Sequence, residues 1–336
     1  TLKNMSTFVS DTMEKQTELQ SKYRKQNNTK WDSMMEHSTW DIEGMYPNMP
    51  KEKILLALNS ILDEMSTVTK KVTARVTIPV RQTTVVVPKS RSEKPRFGVA
   101  YEKAEKGSTT LTFQVMRDVL KFCLNNAVSK CNEELVLQIT GIPQGDNLSP
   151  AMAIGTCAYF EREWIAKLPN GVRQKLVIQR YMDDVLGAHS KFDTGAQDAM
   201  TDLVSGGCYP APLTLINDDD THFLETVIIP TIGNIEFKHW NKNLGGEQEY
   251  YKGKHYHSIG QMTHKIGAIQ GTFIRIDRNC SNANVFNEAI QEKVTELLGL
   301  GYPKKLLQNI LYNMHTKGWC NGEAYHADRW LLPNIQ

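Results

Sequence analysis

The stretch that most constrains this chain is Tyr181-Met182-Asp183-Asp184, with Leu176-Val177-Ile178 before it and Val185-Leu186 after it. An apolar run, two acids and a second apolar run read as a strand, a hairpin tip and a returning strand. That arrangement holds two carboxylates side by side, where they repel unless a divalent cation holds them together. Magnesium suits such a place, because one or two carboxylates and substrate phosphates complete its octahedron. An Asp-Asp pair by itself is ordinarily a surface turn, and Asp218-Asp219-Asp220 reads as one. The first pair differs in the company it keeps.

Upstream, Trp40-Asp41-Ile42-Glu43-Gly44-Met45-Tyr46-Pro47 delivers one Asp on an apolar approach, with an aromatic five residues later. Between the two lies Gly141-Ile142-Pro143-Gln144-Gly145-Asp146-Asn147-Leu148-Ser149-Pro150, a Pro-Gln-Gly loop opening a helix. In this order the three segments resemble motifs A, B and C of the reverse transcriptase palm. The resemblance runs over roughly Ser21 to Lys317. It implies an α+β fold: a right-hand polymerase palm, with an antiparallel sheet and packed helices, followed by a helical thumb. Within the superfamily, three later segments resemble the Penelope-like retroelement reverse transcriptases, a group related to telomerase. These are Phe223-Leu224-Glu225-Thr226-Val227-Ile228-Ile229, a basic stretch with Tyr250-Tyr251, and Gly301-Tyr302-Pro303-Lys304-Lys305.

The resemblance implies an RNA-directed DNA polymerase that adds deoxynucleotides to a primer 3′-hydroxyl. Its cofactor would be two Mg2+ ions, with Mn2+ as a substitute, clamping the attacking and leaving oxygens of an in-line displacement. Asp41 and Asp183 are expected to bridge both metals, Asp184 to assist, and the Ile42 carbonyl to complete the shell. In the family, the aromatic five residues past the first Asp lies under the sugar and blocks a 2′-hydroxyl, which is the role expected of Tyr46. Viral RNA-templated RNA polymerases typically carry an acid there and Gly-Asp-Asp in motif C; this chain has Tyr46 and Met182. Gln144 is expected to touch the nucleotide or the template backbone, and Gly145 to let the backbone approach the templating pair. Ser149 and Pro150 read as the N-cap and first residue of a helix running through Ala151, Ile154, Ala158 and Trp164.

A net charge of +2 over 336 residues is small for a nucleic-acid enzyme, so the distribution matters more than the sum. Lys70, Lys71, Arg75, Arg81, Lys89, Arg91, Lys94 and Arg96 face a single acid, Glu93. A second basic stretch interleaves Lys238, Lys242, Lys252, Lys254, Lys265, Arg275 and Arg278 with Tyr250, Tyr251, Tyr256 and Phe273. Cations among stackable rings suit a groove that tracks a nucleic-acid backbone. The expected contacts are Lys89, Arg91, Lys94 and Arg96 from the first stretch, Lys252 and Lys254 from the second, and Lys304 and Lys305. The partners implied are an RNA template, a DNA or RNA primer and deoxynucleoside triphosphates. The six cysteines show no Cys-x-x-Cys spacing, which points to reduced thiols in an intracellular protein, nuclear if the source is a eukaryotic retroelement. No apolar run approaches the ~20 residues that span a bilayer.

The pattern predicts a helical N-terminal segment over Met5 to Arg24 and a strand over Trp40 to Tyr46. A helix from Pro50 would use Ile54, Leu55, Leu58, Ile61, Leu62 and Met65. Alternation over Val72 to Arg81 predicts a strand that pairs with Thr84 to Val87 as a basic hairpin. Further elements are a helix over Gln114 to Lys130, a short strand over Leu135 to Ile139, a helix over 150–167, a strand over 175–182, and helices over Ala283–Leu300 and Lys304–Lys317. The domains expected are 1–39, a remnant of the fingers–palm junction; 40–235, a palm with a basic insertion at about 68–108; and 236–336, a thumb-like basic and helical region. Nothing before Asp41 matches a fingers region, so a partner chain or upstream sequence is expected to supply it. Two alternatives stay open: a domesticated, template-relaxed nucleotidyltransferase, and a catalytically silent RNA-binding scaffold.

Overall fold

Two runs of strand-forming residues, 35–42 and 184–190, meet as neighbouring antiparallel strands and organise one of the chain's two compact units. The computed structural model describes residues 9, 12–14, 17, 35–71, 77–81, 84–88, 95–98, 108–218, 221–231, 234–241 and 253–318. In chain order the strands and α-helices are β1 (Met35–Ile42), α1 (Met45–Asn48), α2 (Lys51–Ser66), β2 (Thr67–Lys71), β3 (Thr77–Arg81), β4 (Thr84–Pro88), β5 (Arg96–Gly98), β6 (Ser108–Thr112) and α3 (Phe113–Asn125). There follow β7 (Val128–Cys131), β8 (Glu134–Leu137), α4 (Ser149–Lys167), α5 (Asn170–Arg173), β9 (Leu176–Tyr181), β10 (Asp184–Ser190) and α6 (Thr194–Asp202). The last are β11 (Leu215–Asn217), β12 (His222–Phe223), β13 (Thr226–Thr231), β14 (Asn234–His239), α7 (Met262–Asn279), α8 (Ala283–Gly299) and α9 (Lys304–Thr316).

The first unit comprises Thr1–Asp41, Asn170–Met200 and Asn217–Gln336. In it β10 lies between β1 and β9, antiparallel to both. Side chains alternate across a sheet, so this register decides which residues share a face. Val177, Leu186 and Ala188 join Phe223, Ile228, Ile235 and Phe237 of the β12–β14 sheet in one apolar cluster. Gly187 sits where a Cβ would stand 2.0 Å from Met200 Cε and 2.8 Å from Trp40 Cζ3. A glycine here lets Trp40 and Met200 close over the strand. Val9 is buried in the cluster and Met13 packs against it. The described apolar residues of the N-terminal segment, Val9 and Met13, thus face this core.

The C-terminal helices bury a second cluster. Phe286, Ala289, Ile290, Val294 and Leu297 of α8 recur at helical spacing against Ile269, Phe273 and Ile276 of α7 and Leu307, Ile310 and Leu311 of α9. The α8 N-terminus is fixed by Asn282, whose side chain accepts from the Asn284 and Val285 N–H groups at 2.9 and 3.1 Å. Lys265, 4% exposed, donates to the carbonyls of His255, Tyr256 and Ser258 and ties that loop to α7. Phe273 is fully buried, and truncating such a side chain to Ala costs about 3–5 kcal/mol.

The second unit comprises Ile42–Pro169 and Thr201–Ile216. Its centre is α2 against α4, where a Cβ on Gly155 would come within 2.8 Å of Leu58 Cδ2. Lys51 Nζ donates to the carbonyls of Leu124 (2.5 Å) and Gln138 (2.7 Å), which fixes the end of α3 and the residue after β8 to the start of α2.

Several local expectations change. The chain leaves β1 at Ile42, and Gly44, in the left-handed region at φ 52°, turns it into α1; Tyr46 is therefore helical, not in a strand. Strand β3 pairs with β2, and β4 pairs with β5 and β6, so the expected hairpin of Val72–Arg81 with Thr84–Val87 does not form. Alternation marks a segment as a strand but does not name its partner. The helix from Gln114 ends at Asn125, and Val128–Cys131 is a strand paired with Glu134–Leu137. In α4 the buried positions are Ser149, Met152, Ala153, Thr156, Cys157 and Trp164, so Ala151 is exposed. Helix α7 was not expected at all.

The β14–α7 junction makes the first unit acid-sensitive. Burial pushes the His239 imidazole down to about 4; nearby Glu225 works against this, and Arg275 and Lys293 reinforce it. The Asn279 amide nitrogen, 3.1 Å from Nδ1, can only donate, so the ring accepts there, as only a neutral imidazole can. The neighbouring Cys280 thiol, which accepts the His239 N–H, is pushed by burial up to about 12 and stays protonated. Because the folded value of His239 lies below the unfolded one near 6.5, its contribution is complete above pH 6.5 and is lost as pH falls towards 4. We predict that thermal stability declines through that window and that His239→Gln flattens the decline. An unchanged slope in the variant would show that His239 is not its source.

Candidate metal centre

Strand register builds the acid cluster. Asp41, near the end of β1, pairs directly with Asp184, the first residue of β10, and Asp184 pairs with Tyr181, the last of β9. Only Met182 and Asp183 separate Tyr181 from Asp184, so they form a two-residue hairpin turn. The result brings Asp41, Asp183 and Asp184 together, each half-buried, with one ligand oxygen from each lying within 4.8 Å of the others. All three belong to the first unit.

Full charges at that separation repel by roughly 3 kcal/mol per pair at an effective dielectric of about 20. A divalent cation converts the repulsion into attraction. The donor set fits a hard cation: oxygens about 2.1 Å from a magnesium ion stand up to about 4.2 Å from one another. Small side-chain adjustments close the difference. The three residues could therefore hold one divalent ion, or share two.

The turn is held from below. Met182 has φ 57°, a conformation that side chains other than Gly, Asn and Asp seldom adopt. Arg180, 3% exposed, donates from a guanidinium nitrogen to the Met182 carbonyl at 2.7 Å. The sequence reading passed over this arginine, although a cation in the apolar strand Leu176–Tyr181 is itself a signal.

The other expected site residues have known places. Ile42, 1% exposed, follows Asp41 at the end of β1 and opens the second unit. In that unit, Tyr46 on α1 accepts at its carbonyl from the Ile142 N–H at 2.7 Å. Gly141 lies so close that a Cβ would stand 2.4 Å from the carbonyl oxygens of both Tyr46 and Pro47, and its φ is 73°. Gly141 is thus needed where the loop meets residues 46–47. Gly145, at φ 94°, has no protein atom within 4 Å of a Cβ, and its dihedral itself favours glycine. Gln144 is exposed beside it. Ser149 is not the N-cap of α4: Leu148 is, and the Ser149 hydroxyl donates to the Pro143 carbonyl, folding the loop's start back onto the helix.

Among the expected nucleic-acid contacts, Lys254, Lys304 and Lys305 are exposed cations of the first unit. Lys89, Arg91, Lys94 and Lys252 lie outside the described residues, as do Tyr250 and Tyr251, and Arg96 is placed in β5 by its backbone. No helix among the described residues is long and apolar enough to cross a membrane.

No family model matches the chain, and no curated protein matches it. Solved structures do. Telomerase from Candida albicans in complex with the TWJ fragment of telomeric RNA aligns with 96% of this chain and 49% of its own length, at TM-score 0.52 and 10% identity. Apo telomerase from Candida tropicalis aligns with 98% of this chain and 50% of its own, at TM-score 0.49 and 11% identity. The RNA polymerase complex of a double-stranded RNA virus aligns with 85% and 24%, at TM-score 0.38 and 12% identity. The chain thus spans about half the length of the telomerases it matches. At 10% identity the likeness to the Candida albicans telomerase is one of fold alone: the fold is telomerase-like.

Proposed function

We propose that this chain carries the palm and thumb of an RNA-directed DNA polymerase. On this reading the β1–β10–β9 sheet and the Gln144–Gly145 loop belong to the palm, and the C-terminal helices to the thumb. The observation that carries it is the convergence of Asp41, Asp183 and Asp184, which come from two distant parts of the sequence, at one hairpin tip. Two Mg2+ ions, when bound there, supply Lewis-acid stabilisation of the attacking and leaving oxygens. Asp41 and Asp183 would hold them, with Asp184 assisting and the Ile42 carbonyl as a further oxygen donor.

The remaining groups orient the substrates. Tyr46, its backbone fixed by Ile142, excludes a ribose 2′-hydroxyl. Gln144, which is exposed, is assigned by the motif resemblance to the incoming nucleotide or the template backbone. Lys304 and Lys305 stand in the first turn of α9, where cations oppose the helix dipole by a few tenths of a kcal/mol or more. They do not serve the helix, and with Lys254 they suit the phosphates of a template–primer duplex. The telomerase likeness and the motif order favour RNA as template, with a DNA or RNA primer and deoxynucleoside triphosphates as the other substrates. The same wording of the later motifs underlies assignment to the Penelope-like branch.

The test is primer extension on RNA and DNA templates with Mg2+, with and without co-purifying polypeptides. Asp183→Asn is expected to lower extension by at least about 10²-fold, the scale of losing a preorganised charge-stabilising group, while the fold and template binding persist. Asp184→Asn should do less harm. Clear residual synthesis by Asp183→Asn would refute the metal assignment, and template binding without synthesis by the unmodified protein, even with upstream sequence or a fingers-bearing chain supplied, would favour the scaffold alternative.

Removing the ring of Tyr46 gives a second prediction. Tyr46→Ala should raise the ribonucleotide to deoxynucleotide ratio of kcat/KM by about 10–200-fold, the range of a steric contact. An unchanged ratio would return Tyr46 to an ordinary packing role.

A further inference from the structure

The hairpin tip that carries Asp183 is built on an unfavourable conformation. A two-residue turn with positive φ at its first central residue favours Gly, Asn or Asp at that place; here Met182 occupies it at φ 57°. Such a residue persists only where its surroundings over-determine it. The peptide between Met182 and Asp183 is the central peptide of the turn. Its carbonyl oxygen is the one to which Arg180 donates, at 2.7 Å.

That bond has a consequence for the acids. Rotating the central peptide by about 180° interconverts the two primed turn types, changing ψ of the first central residue and φ of the second together. The second here is Asp183. The flip alone turns the C=O and N–H and leaves both side chains nearly in place. The larger effect of losing the bond is that Met182 is no longer held at φ 57°. A turn relaxed from that conformation carries the Asp183 Cα and its carboxylate to a new position relative to Asp41 and Asp184, which are fixed as a strand pair. Arg180 is 3% exposed. Burying a guanidinium in a sheet is costly, and an apolar side chain would fill the same space without that cost. A charged donor on a part-buried carbonyl makes one of the stronger hydrogen bonds available to hold a peptide plane.

We infer that Arg180 is a positioning residue of the metal centre: it clamps the Met182–Asp183 peptide and so holds the Asp183 carboxylate in reach of Asp41 and Asp184. The inference rests on the metal-centre reading above. It does not require that the reaction be DNA synthesis.

The experiment compares Arg180→Met, which keeps length and burial without the donor, and Arg180→Lys, which keeps a cation, with the unmodified chain. Mn2+ affinity is measured by titration, and the Met182–Asp183 peptide is observed in a crystal structure of each variant. Arg180→Met should fold, bind Mn2+ about 10–100-fold more weakly, the scale of losing a residue that orients a metal ligand, and show the peptide rotated or in two orientations. Arg180→Lys should fall between the two. Unchanged affinity with the peptide in place, in a folded Arg180→Met protein, would overturn the inference. Should Arg180→Met fail to fold, Arg180→Lys decides: wild-type affinity there overturns the clamp, and a partial loss supports it. Absence of Mn2+ binding by the unmodified chain would overturn the clamp together with the metal centre. Mn2+ binding without primer extension, even with upstream sequence or a fingers-bearing chain supplied, would refute the polymerase reading alone and leave the clamp to be judged by its own affinities.

Discussion

Three carboxylates close together repel, and a fold that brings them together needs both a rigid frame and a reason. The frame is the antiparallel register of β1, β10 and β9, in which Asp41 faces Asp184 and Asp184 faces Tyr181. A slip of one residue in either pairing would send an acid to the opposite face of the sheet. The register is held by what covers the sheet: the cluster around Val177, Leu186, Ile235 and Phe237, and the contact of Trp40 and Met200 over Gly187. Packing far from the acids thus determines whether they meet. The reason, on the reading proposed above, is a pair of divalent cations.

The second unit shows the same economy on a smaller scale. Gly141 allows the loop before α4 to lie directly on the carbonyls of Tyr46 and Pro47, and Ile142 then bonds to Tyr46. The Ser149 hydroxyl returns to Pro143 and closes the loop against the helix it precedes. Tyr46 and the Gln144–Gly145 loop are therefore parts of one local structure, although nearly a hundred residues separate them. On the function proposed above, substrate selection by Tyr46 and positioning by Gln144 would be mechanically linked.

The sequence made the acids legible because their chemistry is local: an apolar run delivers each carboxylate, and the motif order supplies the rest. Helices α2, α4, α8 and α9 were legible for a similar reason, since their apolar spacing is strong. What stayed hidden depended on partners distant in sequence. Strand β3 alternates as expected, but nothing within it says that β2 and not β4 lies beside it. Ser149 has the chemistry of an N-cap and uses its hydroxyl on Pro143 instead. Gly141 and Gly145 look alike in the sequence, and only the approach of residues 46–47 makes the first the tighter. The contact of Arg180 with the Met182 carbonyl stayed hidden too, because a bond to the backbone leaves no trace in residue identities.

The central claim is that the tip of the β9–β10 hairpin and the end of β1 together form a divalent metal centre. Its most direct measurement is anomalous scattering from crystals of this protein grown with Mn2+ and a non-reactive nucleoside triphosphate analogue. The account predicts manganese peaks within coordination distance of carboxylate oxygens from Asp41 and Asp183, with Asp184 beside them and the triphosphate completing the shell. Manganese elsewhere, or none between Asp41 and Asp183 while the analogue is bound, would contradict it.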